Sequence, residues 1–272
     1  MPRIADARLC QILFLGLLLT TGVLARDFSV RFEQVALTFA AAIAVQLACV
    51  RGLKLENVGV LSAIVTSFGL SILLRADSLW VHPLAATLAI GSKFIVRLHG
   101  KHVFNPANLG VILATSLLPG AWVSPGQWGS DLLLAGWFVA LGSIVTNRAR
   151  VSDISWMFLA CYGGLLFARA AWLGQDFAIP LHQMHNGALL LFAFFMISDP
   201  MTIPNRRGPR IAYAVIVALG AIAWQYLLFR PNALIWSLFL LTPLVPVLDR
   251  LYPAPNFAWR SPIGPLRIPT EG

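Results

Sequence analysis

Charge is what this chain has least of. Only 11% of its 272 residues are Asp, Glu, Lys or Arg, against 58% hydrophobic. So little charge cannot cover the surface of a water-soluble domain of this size. Cysteine is also scarce. Cys10, Cys49 and Cys161 lie far apart in apolar stretches, and none forms a CxxC or Cys/His cluster. A disulfide framework and an iron–sulfur site are therefore not signalled. The five histidines include His99 and His102, and His182 and His185, each pair spaced i,i+3. Neither pair has a third ligand nearby in sequence, so no metal site is expected. Polar linkers are nearly missing as well, which leaves no length for a soluble domain.

What is present is a series of long apolar runs. A bilayer core needs roughly 20 apolar residues per helix. By that measure the spans are about 9–25, 33–50, 58–74, 79–96, 105–122, 131–147, 154–172, 185–198, 211–229 and 233–249. The expectation is an all-α membrane protein of about ten transmembrane helices. Residues 1–250 form one polytopic domain and 251–272 a Pro-rich cytoplasmic tail. The length also permits two five-helix halves, roughly 9–122 and 131–249, arranged as inverted repeats.

Charge placement orients the spans. With the N-terminus cytoplasmic, the inside segments hold Arg3, Arg8, Arg51, Lys54, Arg97, Lys101, Arg148, Arg150, Arg206, Arg207, Arg210, Arg250, Arg260 and Arg267. The outside segments hold Arg26, Arg31, Arg75, Arg169 and Arg230, and Lys93 falls within a span. This follows the positive-inside rule, so both termini are expected in the cytoplasm. The net charge of +9 then belongs to lipid headgroups and insertion topology, and no nucleic acid is expected as a partner. The first apolar run, Leu9 to Ala25, is longer than a typical secretion signal, and it is read as an uncleaved helix. Tryptophans near span ends, such as Trp80, Trp122 and Trp172, suit an interfacial belt.

Two polar insertions interrupt the apolar pattern. The first runs from Lys93 to Asn108. Asn105 is placed to cap the next helix, with Pro106 in its first turn. Asn108 follows one turn later on the same face. Such a helix start can serve as a plain cap, or hold an anion or the polar edge of a ring. Lys93 can either snorkel to the inside interface or offset a bound anion. The second insertion is Ser198-Asp199-Pro200-Met201-Thr202-Ile203-Pro204. Pro200 disfavours helix at Asp199, and a carboxylate at that depth needs a partner. Arg206 and Arg207 are the nearest basic groups in sequence. Both insertions fall at inside boundaries, so they can converge on one cytoplasmic-side site.

Three segments carry a resemblance. Phe104-Asn105-Pro106-Ala107-Asn108-Leu109-Gly110 is similar to the FNPA-x-x-G segment of the membrane subunits called NqrB and RnfD. Phe195 to Pro204 is similar to their FMATDPVT-x-P segment, and Leu244 to Arg250 to the LVPLIDR end of their last helix. The three occur in family order across roughly 90–252. The resemblance implies a ten-helix flavoprotein subunit of an ion-pumping electron-transport complex in the bacterial cytoplasmic membrane. Its partners would be membrane lipid, other electron-transport subunits or a soluble redox protein, and quinone. The chain would be an electron-relay subunit rather than a catalytic one. A flavin, FMN or riboflavin, would lie between helices, with Lys93, Asn105, Asn108, Ser198, Asp199 and Thr202 as candidate binding residues. Family members esterify FMN to a threonine in an SGAT motif after the fifth helix. Here the corresponding loop, 119–131, has neither SGAT nor any threonine, so any flavin is expected to be non-covalent. A transporter or channel of the same five-plus-five plan, without a redox cofactor, is the alternative.

Overall fold

A computed structural model describes residues 6–25, 30–55, 58–124 and 132–257. Each of the ten apolar runs forms helix. They are α1 (Ala7–Ala25), α2 (Phe32–Gly52), α3 (Leu61–Leu73), α4 (Val81–Ile95), α5 (Pro106–Leu117), α6 (Leu132–Ala149) and α7 (Ser152–Trp172). After a short helix α8 (Ala178–Met184) come α9 (Gly187–Leu191), a π-helical segment (Phe192–Met196), α10 (Arg207–Tyr226), α11 (Ala233–Leu241) and α12 (Leu244–Leu251).

Their lengths separate them. Among the described residues, five helices of 18–21 residues (α1, α2, α6, α7 and α10) are long and apolar enough to cross a membrane; a sixth crossing results if α11 and α12, bent by 46°, count as one. The remaining apolar helices, Leu61–Leu73, Val81–Ile95, Pro106–Leu117 and Gly187–Met196, are shorter. The ten expected runs are helical, but among the described residues only five or six have spanning length, so ten full-length spans are not shown. This is a multi-pass helical membrane protein.

Helix α2 is inside-out relative to a helix of a soluble protein. On α2 the buried positions are Gln34, Thr38, Ala42 and Gln46, a stripe of spacing four that is mostly polar. Leucine and phenylalanine point outward, as a lipid solvent permits. The inward polar groups tie helices together, because hydrocarbon offers them no other partner. Gln34 Nε2 donates to Ala76 O at 2.7 Å. The hydroxyl of Thr38 donates to Gln34 O and lies 3.1 Å from Nδ1 of His82 on α4. Small residues bring backbones close: a Cβ on Gly110 of α5 would lie 2.9 Å from Ala89 Cβ and 3.0 Å from Ala85 O of α4.

Packing follows a pattern that recurs. In the first half α1 packs on α3, α2 on α4, and α4 on α5; in the second, α6 packs on α9 and the π segment, α7 on α10, and α10 on α11. Two short sheets mark opposite ends. At one end β1 (Leu74–Ala76) pairs antiparallel with β4 (Ala121–Val123), with Arg75 opposite Trp122. Arg75, counted above with the outside loops, is buried there; its Nη1 donates to Ser71 O and Leu74 O. At the other end β2 (Arg97–Leu98) and β3 (Lys101–His102) form a hairpin. Its tight turn needs left-handed backbone at His99 and Gly100. The fifth span ends at Leu117, short of the expected 122, because Pro119-Gly120 turns the chain back into β4. Ser124 donates its backbone N–H to Leu73 O. Ser130 and residues 258–272 of the tail lie outside the described residues.

Candidate functional site

The hairpin and the loop after the π segment meet at one end of the bundle. Lys101 Nζ donates to Ile203 O at 2.6 Å, Asn205 Oδ1 at 3.1 Å and Asp249 Oδ2 at 2.9 Å. Asp249 Oδ1 in turn accepts from Asn205 N at 2.8 Å. Farther out, Asn256 bridges Asn205 and His99 O. Nearby, Arg210 ties Asp153, Arg150 O and Pro204 O together. This scaffold fixes β3, and with it His102.

His102 Nε2 lies 3.6 Å from Asp199 Oδ2, with side chains 12% and 19% exposed. Asp199 is further held by Met201 N, which donates to Oδ1 at 3.1 Å, and by Asn105 Nδ2 at 3.5 Å. The chain breaks here because the last π-type bond, Ile197 N to Phe192 O, is followed by Pro200. Burial pushes both groups toward their uncharged forms. Desolvation raises the Asp199 carboxyl above its ordinary range, against the Met201 N–H and the charges of Lys93 and Lys101. Desolvation, aided by Lys93, Arg97 and Lys101, lowers the His102 imidazole to about 3. Asp199 does not pair with Arg206 or Arg207.

Lys93, Asn105, Ser198 and Asp199 line one inner cavity of about 100 Å³, together with His102 and Arg8. The expected convergence of the two insertions is thus present in the geometry, at four of the six positions. Lys93 does not snorkel outward. It donates to Gln46 Oε1 at 3.0 Å and Ser62 Oγ at 2.7 Å. Asn105 caps α5, accepting from Asn108 N at 3.0 Å, and its amide N–H also reaches Met196 O. Ser198 Oγ donates to Phe194 O. The other two residues are turned away. Asn108 Nδ2 donates to Ile235 O of α11 at 3.2 Å, so the two asparagines do not present a shared amide face to the cavity. The Thr202 hydroxyl donates to Asp199 O at 3.3 Å, closing the turn. Sequence reasoning missed His102, considered only as half of an i,i+3 histidine pair, and Lys101. The only signal for either was its place in the basic insertion.

A flavin does not fit this inner site as it stands. Sites for ligands of that size run to roughly 300–1,000 Å³, and most polar groups here are already engaged, His102 Nε2 being left without a hydrogen bond. The scale and chemistry suit water, a proton or a small ion. At the opposite end lies a second cavity of about 410 Å³. Leu73 and Met196 line both cavities and form the partition between them. Among the described residues no group of three or more His, Cys, Asp or Glu is placed to hold a metal.

Helical segments with polar groups turned inward and an ionisable pair at a proline-broken helix end define a class: multi-pass membrane proteins with a polar site in the bundle. Comparison with known proteins narrows it. Residues 130–258 match the model of the NQR2, RnfD, RnfE family. The chain is similar to the D subunit of the ion-translocating oxidoreductase complex of Alcanivorax borkumensis, at 32% identity over 140 residues. It is also similar to the proteins of that name from Psychromonas ingrahamii, at 29%, and Cronobacter sakazakii, at 26%. These matches take in 49%, 45% and 55% of this chain but only 38%, 35% and 41% of the relatives. Two of the three segments that carried the resemblance, 195–204 and 244–250, lie inside the family match; Phe104 to Gly110 lies before it.

Proposed function

We propose that this chain serves as a membrane subunit of an ion-translocating electron-transport complex in a bacterial cytoplasmic membrane. The observation that carries the reading is the family match over 130–258, together with relatives named as the D subunit of such a complex. Other subunits of that complex, membrane lipid and a redox protein are its partners, with quinone as a further one. The arrangement we assign is ten crossings in two five-helix halves of opposite orientation, with both termini cytoplasmic. The recurring packing order supports it. So does the way short helices are lengthened: α3 rises about 20 Å at 1.5 Å per residue, and the buried strand β1 adds about 10 Å. Together they match a hydrocarbon core of about 30 Å. Paired strand backbone within protein is tolerated at membrane depth.

Within this reading the His102–Asp199 pair handles a proton at the inner mouth. A carboxyl and an imidazole in contact, both pressed toward neutrality, give and take a proton at small cost. The flavin, FMN or riboflavin bound without a covalent link, is part of the same reading, but the inner site does not house it. Purification tests this directly. The expected product is yellow, absorbs near about 450 nm as flavins do, and loses its colour to the supernatant on denaturation. Colourless protein from cells replete in flavin would sink the flavin assignment. A transporter or channel is the second reading, favoured by the two cavities that approach each other from opposite ends. Colourless protein that moves a small solute in proteoliposomes would establish it instead.

A further inference from the structure

One buried charge at the inner site has no part in the His102–Asp199 pair. Lys93, in the last turn of α4, makes no ion pair among the described residues. Its Nζ donates to Gln46 Oε1 on α2 and to Ser62 Oγ on α3, and both groups are neutral. Yet Lys93 and Asp199 line the same inner cavity. Among the described residues they are the one ammonium and the one carboxyl on its wall. An ammonium and a carboxyl that share a small cavity without touching have two arrangements open to them. In the one seen here the ammonium is drawn back onto α2 and α3. In the other it sits on the carboxylate. Lysine has a flexible stem and three rotatable donors, which suits it to exchange partners.

The other charges facing this space are already engaged. Arg8 of α1 pairs with Asp6 at 2.6 Å, and Lys101 of β3 with Asp249 at 2.9 Å. Arg97 of β2 donates to Gly100 O at 2.8 Å in the exposed hairpin. His102 of β3 adds its imidazole, and Cys49 of α2 a thiol near Lys93. No second carboxyl is left to balance a further cation. Oxygen-ligated metal cations are held by about six or more ligands, usually with several carboxylates among them. Two of the oxygens that could join Asp199 are occupied: Ser62 Oγ by the ammonium itself, and Asn105 Oδ1 by Asn108 N. The ammonium thus stands in place of a metal cation, tethered to α4. A free cation would add its charge to one the cavity already holds, in surroundings of low dielectric. A proton differs, because it binds covalently and on Asp199 it removes a charge.

We infer that Lys93 confines the inner site to protons: its ammonium excludes metal cations and supplies the counter-charge that lets Asp199 ionise. When the Asp199 O–H bond breaks, the electron pair stays on the carboxylate and the proton passes to water at the inner mouth. The ammonium then leaves Gln46 and Ser62 for the carboxylate, and re-protonation reverses both movements. Lys93 is a positioning residue here, acting through Asp199. The inference names the ion for the proton-handling reading of the pair, and it rests on that reading.

The test is an infrared titration of the full chain in lipid nanodiscs. The carbonyl band of a protonated carboxylic acid reports Asp199, and its loss in Asp199→Asn assigns it. Its midpoint is followed with pH in sodium chloride and in N-methylglucamine chloride of equal ionic strength. The wild-type midpoint should be the same in both salts. Lys93→Met should hold the proton about tenfold more tightly, which raises the midpoint by about one pH unit, and Lys93→Arg should restore it. A wild-type midpoint that falls in sodium overturns the inference, and that measurement depends on no variant. So does a Lys93→Met midpoint equal to that of the wild type. If Asp199→Asn removes no titrating band, the proton reading of the pair itself fails, and this inference fails with it.

Discussion

Consider replacing Lys101 with methionine. Lys101 is 7% exposed at its side chain and Asp249 is 14% exposed. The ammonium makes three bonds, at 2.6, 2.9 and 3.1 Å, to groups on two different segments. Lys101→Met keeps the aliphatic stem but leaves the Asp249 carboxylate with only the Asn205 N–H, and Ile203 O with no donor. Breaking a buried pair from one side costs about 3–5 kcal/mol, much of it the stranded charge. Asp249→Asn retains an oxygen for Lys101 and should cost less, about 1–2 kcal/mol. The double variant Lys101→Met/Asp249→Leu removes both charges, so it should be more stable than the sum of its parts by about 2 kcal/mol or more. Denaturant unfolding in mild detergent, read by tryptophan fluorescence and extrapolated linearly, measures all of these. A Lys101→Met loss under about 1 kcal/mol, or strict additivity in the double variant, would show the pair to be no better than a surface ion pair and would refute the view that it holds the hairpin.

Other expectations are quicker to state. Asn105→Ala should cost about 1 kcal/mol through the lost cap, and Asn105→Asp, which keeps the cap but turns an acceptor toward Asp199 Oδ2 and Met196 O, should cost at least as much; a neutral Asn105→Asp would remove those two contacts as a reason for Asn105. Gly142→Ala should destabilise by about 1–3 kcal/mol through overpacking, because its Cβ would fall on Phe194 Cβ and Cγ; a wild-type melting temperature would contradict the packing described. The His102 imidazole is held at about 3 against an ordinary 6.5, so its contribution is complete above about pH 6.5 and is lost as pH falls toward about 3. Asp199, shifted upward, acts in the opposite sense, favouring the fold at low pH and losing that contribution as pH rises through its folded value. His102→Gln should therefore flatten the acid side of a stability–pH curve, and an unchanged acid limb would detach His102 from that response. Reporter fusions after Arg150 and at the C-terminal end should both signal cytoplasm, and an external signal from either breaks the ten-crossing arrangement.

The positions of the ten helices were legible because hydropathy alone sets them. Their lengths were not. Hydropathy runs on into β4, so α5 read as longer than it is; the third run stopped at Leu74, before Arg75 of β1. At the inner site, Lys93, Asn105, Ser198 and Asp199 stood out because polar residues interrupt an apolar pattern, and they do share a cavity. His102 and Lys101 were in view but without partners, since Asp249 is 148 residues from Lys101 and pairing at that separation leaves no local trace. Asn108 was assigned to the face of Asn105 from helical spacing alone. What turns it away is α11, which supplies Ile235 O, and no spacing rule carries that. The π segment has no sequence signature in Phe192–Met196 either; it follows from tertiary packing.

That segment has a geometric consequence. A π turn is an α-helix with one residue too many, and it resets the angular phase of everything after it. Each residue of α-helix advances about 100°. If Phe192–Met196 wound as ordinary α-helix, Ser198 and Asp199 would be rotated by about that angle, carrying the carboxylate off the line toward His102. The phase is kept by Phe194, which packs into the gap left by the missing side chain of Gly142 on α6. Gly142 thus makes room on a neighbouring helix for the π segment that precedes Asp199.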